Sequence, residues 1–292
     1  MVHKNSLKVA LTGANGFVGK NIGKALAKKG ISVVGIVRKG KESSINFVDV
    51  IISKDLSENY LVSKLYGCSV LLHFIGKGKQ TVDSDYQKVN VSLTKNAIKL
   101  CKKAKIKKII YISGLGVSKD TTFGYFISKF QAEQEIINSG LDYTIFRASY
   151  IIGKDDPLSR LLFRQMKKGT IMVPGSGRYR LQPIFVGDVA EVVFQSLTQK
   201  KFSNKIIDLV GPKTITFNDY VRDFLQGKKT LIKNINLEDA YHTALNSPKT
   251  NFGIDDLNIL IGDYVGNHKK LKSMSGIEFR THKVVLETGS LS

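Results

Sequence analysis

A chain of 292 residues with 45 Lys and Arg against 24 Asp and Glu has a formal charge of +21 and is long enough for one large domain or two small ones. Its 42% hydrophobic content is that of a soluble globular protein, and no apolar run approaches the roughly 20 residues that cross a bilayer. The two cysteines, Cys68 and Cys101, exclude a disulfide framework and fit a reducing compartment. A first strand close to Met1 leaves no room for a cleaved leader, so a cytoplasmic location is expected.

Val9-Ala10-Leu11 reads as a buried strand, followed at once by Thr12-Gly13-Ala14-Asn15-Gly16-Phe17-Val18-Gly19. Three glycines spaced G-x-x-G-x-x-G between a strand and a helix suit one task, holding a dinucleotide pyrophosphate. The first permits a tight turn, the second lets the backbone approach the phosphates, and the third lets helix and strand pack closely. The new helix points unpaired N–H groups and its positive end at the anion. Val18, Ile22, Ala25 and Leu26 share a helical face, Gly30 stops the helix, and Ile31 to Val37 forms a second strand, completing a βαβ unit. A P-loop is excluded, because the glycine count is off by one and Lys20 is followed by Asn21.

Further strands are expected at Val48 to Ile52, Val70 to Ile75, Lys108 to Ile112, Tyr143 to Phe146 and Ile206 to Leu209. Helices are expected at Leu56 to Tyr66, Tyr86 to Cys101, Tyr125 to Asn138 and Val189 to Leu197, the last capped by Asp188. Continuous apolar strands alternating with helices predict an α/β, doubly wound parallel sheet. After Arg147 the pattern loosens, with loop signals at Asp156-Pro157, Pro174 to Gly177 and Gly211-Pro212. Residues 1–150, with 186–210 returning to them, are expected to form the nucleotide-binding domain. A smaller lobe is expected from 151–185 and 211–272, and 273–292 reads as a tail of little periodicity.

The lysines are mostly scattered. The densest cluster, Lys99, Lys102, Lys103, Lys105, Lys107 and Lys108, lies where a helix ends, a position that favours cations. With no nucleic-acid motif and no aromatic interleaving, this is a solvated basic surface rather than a specific polynucleotide site. A weak attraction to an anionic membrane surface, with a peripheral location there, or to an acidic partner stays open.

Arg38 ends the second strand, where an NAD-selective site usually carries a carboxylate for the ribose 2′-hydroxyl. Arg38, followed by Lys39, suits a 2′-phosphate, which favours NADP(H) over NAD(H). Asp55-Leu56 follows the third strand, where the carboxylate either meets the adenine amine or serves a helix N-terminus. Asn15 and Gly76 complete the candidate cofactor set. Tyr125 and Lys129 stand four apart on one helix face, and a cation near a phenol lowers its high pKa. Tyr60 to Lys64 and Tyr150 to Lys154 share that spacing, but only Tyr125 opens a helix after the fifth strand. His73, in an apolar strand, reads as a packed core imidazole. No zinc spacing and no G-x-S-x-G elbow occur, so no metal site or serine hydrolase is expected.

The glycine loop, the Tyr125/Lys129 pair and Tyr111-Ile112-Ser113-Gly114 resemble the short-chain dehydrogenase/reductase superfamily. Ser139 to Arg147, Ile152-Gly153, Gln182 to Ala190 and Ile254 to Leu260 are similar to its atypical, extended branch. That branch includes the nucleotide-binding accessory subunit of respiratory NADH:quinone oxidoreductase and its prokaryotic relatives. The resemblance implies a Rossmann fold with backbone contacts from Gly16, Phe17 and Val18 to pyrophosphate. It implies Tyr125 as acid/base, Lys129 on the ribose, and Asn90 as the helix asparagine supporting the site. The chain departs at Gly114, where active relatives carry Ser or Thr; Ser113 could substitute. Two functions follow: an oxidoreductase or epimerase acting on a small carbonyl or alcohol, or a non-catalytic NADP(H)-binding subunit of a protein complex.

Overall fold

The computed structural model describes residues 7–42, 45, 49–76, 85–246 and 254–288. In chain order the first elements are β1 (Lys8–Thr12), α1 (Phe17–Lys28), β2 (Ser32–Val37), β3 (Asp49–Ile52), α2 (Tyr60–Lys64) and β4 (Val70–His73). A π-helical segment, Gln87–Ser92, leads into α3 (Leu93–Lys103), then β5 (Lys108–Gly114), α4 (Gly124–Ile137) and β6 (Asp142–Ala148). There follow β7 (Ile151–Ile152), α5 (Pro157–Met166), β8 (Thr170–Pro174), β9 (Arg180–Leu181), β10 (Ile184–Phe185), α6 (Val186–Ser196) and β11 (Lys205–Leu209). The chain closes with β12 (Ile215–Thr216), α7 (Phe217–Leu225), β13 (Leu231–Ile235), α8 (Leu237–Asn246), α9 (Ile254–Ile261), α10 (His268–Ser275) and α11 (His282–Glu287).

Seven strands form one sheet in the order β11-β6-β5-β4-β1-β2-β3, every pair parallel. The chain runs outward from β1 through β2 and β3, then returns to the other side of β1 as β4. The carboxyl ends of β1 and β4 are therefore a topological switch point, where an open α/β sheet leaves a crevice. Side chains alternate across the sheet. Val9 and Leu11 pack on one face with Ile22 and Leu26 of α1 and Val189 and Val193 of α6. Ala10 packs on the other with Leu71, Leu100, Tyr111, Ala132 and Ile145. A third apolar cluster gathers Leu158, Leu162, Phe217, Val221, Leu260 and Val285, around the strand pairs β7–β10, β9–β12 and β8–β13.

Four elements differ from expectation. The helix expected at Leu56 to Tyr66 shrinks to Tyr60–Lys64, because Leu56 adopts φ +69° and its N–H donates to Ser53 Oγ at 2.8 Å, while Ser57 N–H and Oγ bond Asp55 at 3.0 and 2.6 Å. Such local side-chain bonds compete with helix formation. Asp188 is not the cap of α6, which starts two residues earlier; its Oδ2 accepts the Arg280 N–H at 2.8 Å. Asp156-Pro157 is a helix start rather than a loop: Asp156 caps α5 by accepting from Ser159 N–H at 2.9 Å, with proline at the first helical position. The expected tail carries helices: 273–275 end α10, and α11 buries Val285 and Leu286. Val48 of the expected third strand lies outside the described residues.

Candidate functional site

The glycine turn joins β1 to α1 at the switch point. Gly13 has φ +68°, and a Cβ there would lie 2.9 Å from the Phe74 carbonyl after β4. Gly16 N–H closes the turn on Gly13 O at 2.9 Å and, as N-cap of α1, offers no side-chain cap. A Cβ on Gly19 would sit 2.2 Å from Gly13 O. The first turn of α1 has no acidic residue, so its N–H groups and positive end face the crevice without a competing anion.

Two adjoining cavities run from this turn. The first, of about 390 Å³, is lined by Gly13, Asn15, Gly16, Arg38, Asp55, Leu56 and Gly76 among others. The second, of about 620 Å³, shares Gly13, Gly16, Phe74 and Gly76 with it and adds Phe17, Val18, Gly19, Ser113, Gly114 and Tyr125. The structure thus brings the sequence-selected residues to one continuous crevice except Lys39, Lys129 and the supporting Asn90. Lys39 is exposed beside Arg38; Lys129 lies behind Gly76, whose Cβ would fall 2.9 Å from its ammonium. Ser57 holds the Asp55 carboxylate below its usual pKa by hydrogen bonding, yet Asp55 still lines the cavity; it caps no helix, since α2 starts after Asn59.

The crevice fits a dinucleotide on two observations. The amide-rich turn leaves room that a Cβ at Gly13 or Gly19 would fill. At the far end, the buried Ser113 hydroxyl lines the second cavity and has no hydrogen-bond partner among the described residues.

Tyr125 opens α4 beside this cavity. Burial first, then the Asp256 carboxylate, push its phenol up to about 12. Lys129, one turn on and buried, donates to Tyr111 Oη and to the Ile112 carbonyl, both at 3.1 Å. Burial lowers its ammonium to about 8, opposed by Glu133, which Arg147 grips at 3.0 and 2.6 Å. The expectation that Lys129 lowers the Tyr125 phenol is therefore corrected for this state, because burial dominates and the ammonium is directed to Tyr111. Lys129 carries a pH signature. Its folded value is depressed, so between about 8 and 10.5 the unfolded chain binds the extra proton and stability rises with pH. Relative to a Lys129→Met variant, the wild-type protein should gain up to about 3 kcal/mol across that window in urea titrations. A flat difference would rule out a buried, depressed ammonium.

Asn90 lies in the π-helical segment, a feature frequent at functional sites. Its Nδ2 donates to Ser128 Oγ at 2.9 Å, and Ser128 Oγ donates to the Tyr125 carbonyl at 2.7 Å, tying the segment to the start of α4. His73 is a fully buried core imidazole, as expected. Thr94 Oγ1 gives its hydrogen to Asn90 O at 2.7 Å, so it accepts from His73 Nε2 at 3.1 Å, which leaves Nδ1 to accept from Thr12 Oγ1 at 2.9 Å. Of the rival pairs, Tyr60 is a surface residue bonded to Ile52 O, whereas Tyr150 lines the second cavity.

Sequence reasoning assigned no site role to Asp256, Tyr86, Tyr150 and Arg164. Asp256, Tyr150 and Arg164 line the second cavity, and Asp255 at the start of α9 bonds the hydroxyl of Tyr86, which precedes the π-helical segment. The only available signal was the Ile254 to Leu260 segment itself, since single acids on a short helix carry no spacing.

The glycine turn at a sheet switch point, with a tyrosine and a lysine at its far end, defines a nucleotide-binding α/β protein of dehydrogenase type. The chain belongs to the NAD(P)H-binding family, whose model matches residues 13–200. It is similar to the mitochondrial NADH dehydrogenase [ubiquinone] 1 alpha subcomplex subunit 9 of Arabidopsis thaliana, 25% identical over 221 residues, covering 71% of this chain and 54% of that protein. The chain spans little more than half the length of this relative and of the NADH-ubiquinone oxidoreductase 40 kDa subunit of Neurospora crassa. Its fold is that of the UDP-glucuronic acid 4-epimerase from Bacillus cereus solved with UDP-glucuronic acid and NAD (TM-score 0.76, 18% identity, 97% of this chain and 98% of that one). It is also that of the NADPH-dependent quinone oxidoreductase QOR2 from Escherichia coli complexed with NADPH (TM-score 0.75, 20% identity, 96% and 99%). The likeness to the extended short-chain dehydrogenase/reductase branch and its respiratory accessory subunits is borne out.

Proposed function

We propose that this protein binds NADP(H) in the crevice and reduces a small carbonyl compound, or oxidises the matching alcohol, with Tyr125 as proton donor. One observation carries the proposal: the glycine turn, Arg38, the orphaned Ser113 hydroxyl and Tyr125 line one continuous crevice. When bound, the nicotinamide supplies or accepts the hydride. Gly16, Phe17 and Val18 N–H groups would hold the pyrophosphate, and Arg38 and Lys39 the 2′-phosphate, with Asp55 and Leu56 beside the adenine. Lys129 would turn from Tyr111 toward the ribose hydroxyls. Ser113 Oγ donates to the substrate oxygen and Tyr125 gives it the proton. A phenol held near 12 is protonated at neutral pH, which suits reduction. A third apolar cluster, drawn mainly from 152–181 and 217–260, supports a smaller part (151–185 and 211–272) beside a coenzyme domain (1–150 with 186–210), with Ile184 and Leu271 packing into the latter and Val285 and Leu286 joining the former. Buried, unpaired Cys68 and Cys101 support a reducing compartment.

A second function, that of a non-catalytic NADP(H)-holding subunit of a larger complex, is favoured by Gly114. A Cβ there would stand 3.5 Å from Tyr125 Oη, so the position that could hold a hydroxyl against the phenol is bare. The name of the Arabidopsis relative supports the same alternative.

Calorimetry with NADPH and NADH tests the coenzyme assignment. Arg38→Ala should weaken NADPH binding by about 10- to 100-fold and leave NADH nearly unchanged, the worth of a charged hydrogen bond at a half-open site. Equal losses for both nucleotides would remove the 2′-phosphate from the proposal. A parent protein that binds neither nucleotide would end it.

A further inference from the structure

Parallel pairing puts every strand start of the large sheet on one edge, opposite the crevice. That edge is strongly basic. Lys8 begins β1, Lys28 ends α1 ahead of β2, Lys64 ends α2 ahead of β4, Lys105 and Lys107 precede β5, and Lys205 begins β11. Three carboxylates reach this edge: Glu191 and Asp142 are engaged by Lys29 at 3.0 Å and Lys108 at 3.3 Å, and Asp49 begins the outermost strand β3, beyond the lysines. Among the described residues none of those six lysines pairs with a carboxylate. From β11 to β2 the array spans five strand spacings, roughly 24 Å. Among them, in the turn between α2 and β4, Tyr66 is 80% exposed, and its carbonyl accepts from Lys8 Nζ at 3.3 Å.

We propose that this amino edge docks on an anionic phospholipid bilayer, with Tyr66 at the headgroup level and the nucleotide crevice facing water. The chemistry favours lipid over polynucleotide. The loops at this edge carry lysine but no arginine, so they offer point charges rather than the planar forks that grip a phosphodiester. The charges lie along an edge about as wide as the sheet, with one exposed tyrosine instead of a row of stacking rings. Tyrosine with lysine is the pairing that settles at a headgroup layer. Helix C-termini account for Lys28, Lys64, Lys105 and Lys107 as dipole partners, but not for Lys8 or Lys205, which begin strands.

Co-sedimentation with vesicles of phosphatidylcholine alone, and of equal parts phosphatidylcholine and phosphatidylserine, tests this. The parent should bind only the anionic vesicles. Lys105→Glu/Lys107→Glu/Lys205→Glu should lose at least about 100-fold in affinity. Lys167→Glu/Lys228→Glu/Lys229→Glu, with the same change in net charge, should stay within about twofold, because those charges lie outside the array. Tyr66→Ser should weaken binding severalfold at unchanged charge, and NADPH calorimetry should report every variant as folded. Equal losses for the two triple variants would overturn the proposal, as would failure of the parent to bind. A tighter hold on polyuridylic acid than on the anionic vesicles, at equal phosphate, would also overturn it.

Discussion

Replacing Tyr125 with phenylalanine is expected to cut carbonyl reduction about 100- to 10,000-fold while leaving NADPH affinity within about twofold, the span usual for a positioned acid. The asymmetry follows from the site. The Tyr125 ring packs against Tyr86 and Phe126 at 5.9 and 5.2 Å between centroids, contacts that phenylalanine keeps. Only the hydroxyl is lost, and it faces the reaction end rather than the glycine turn. Ser113 would still donate to the substrate oxygen, but a hydrogen bond does not deliver a proton. Steady-state kinetics and calorimetry on the same preparation separate the two functions. An accessory subunit would show no turnover in the parent and no change in the variant. Full turnover in the variant would remove Tyr125 from the chemistry.

Gly19→Ala is expected to be the most damaging single methyl in the nucleotide crevice. Its Cβ would lie 2.2 Å from the Gly13 carbonyl oxygen, a backbone atom that cannot step aside. The turn must open, straining the Gly16 N–H to Gly13 O bond and tilting α1 away from β1. A loss of about 2–3 kcal/mol in urea unfolding and more than about 100-fold in NADPH affinity is expected, as for overpacking at a rigid contact. Gly30→Ala is the control. Gly30 has φ +77° with nothing within 4 Å of a Cβ, so it should cost only the roughly 1–2 kcal/mol of a left-handed residue and leave NADPH binding intact. Equal effects on binding from both would place the sensitivity outside the turn.

The sheet and the glycine turn were legible because their signals are local. Val9 to Gly19 states a strand, a turn and a helix start within eleven residues, and apolar runs locate the strands. Arg38, Asp55 and Tyr125 could be placed because each follows a strand, and a parallel sheet brings strand ends to one edge. What could not be read depends on distant partners. The value of the Tyr125 phenol is set by burial and by Asp256, more than a hundred residues away on a short helix. The direction of Lys129 is set by Tyr111 on a neighbouring strand. The short form of α2 arises from Ser53, Asp55 and Glu58 side chains bonding nearby backbone, a competition that hydrophobic periodicity does not register. The six-residue α11 is too short to show a period, although His282 anchors it to Asp223 at 2.7 Å.

The imidazole wedged between Thr12 and Thr94 has a price at low pH. Burial, reinforced by Lys129, holds it near 3 in the folded chain, against 6.5 when released. Acidification below about 6.5 therefore rewards unfolding by about 1.4 kcal/mol per pH unit from this ring alone, down to its folded value. The strand ends that carry the glycine turn thus hold a group whose protonation in acid works against the folded state.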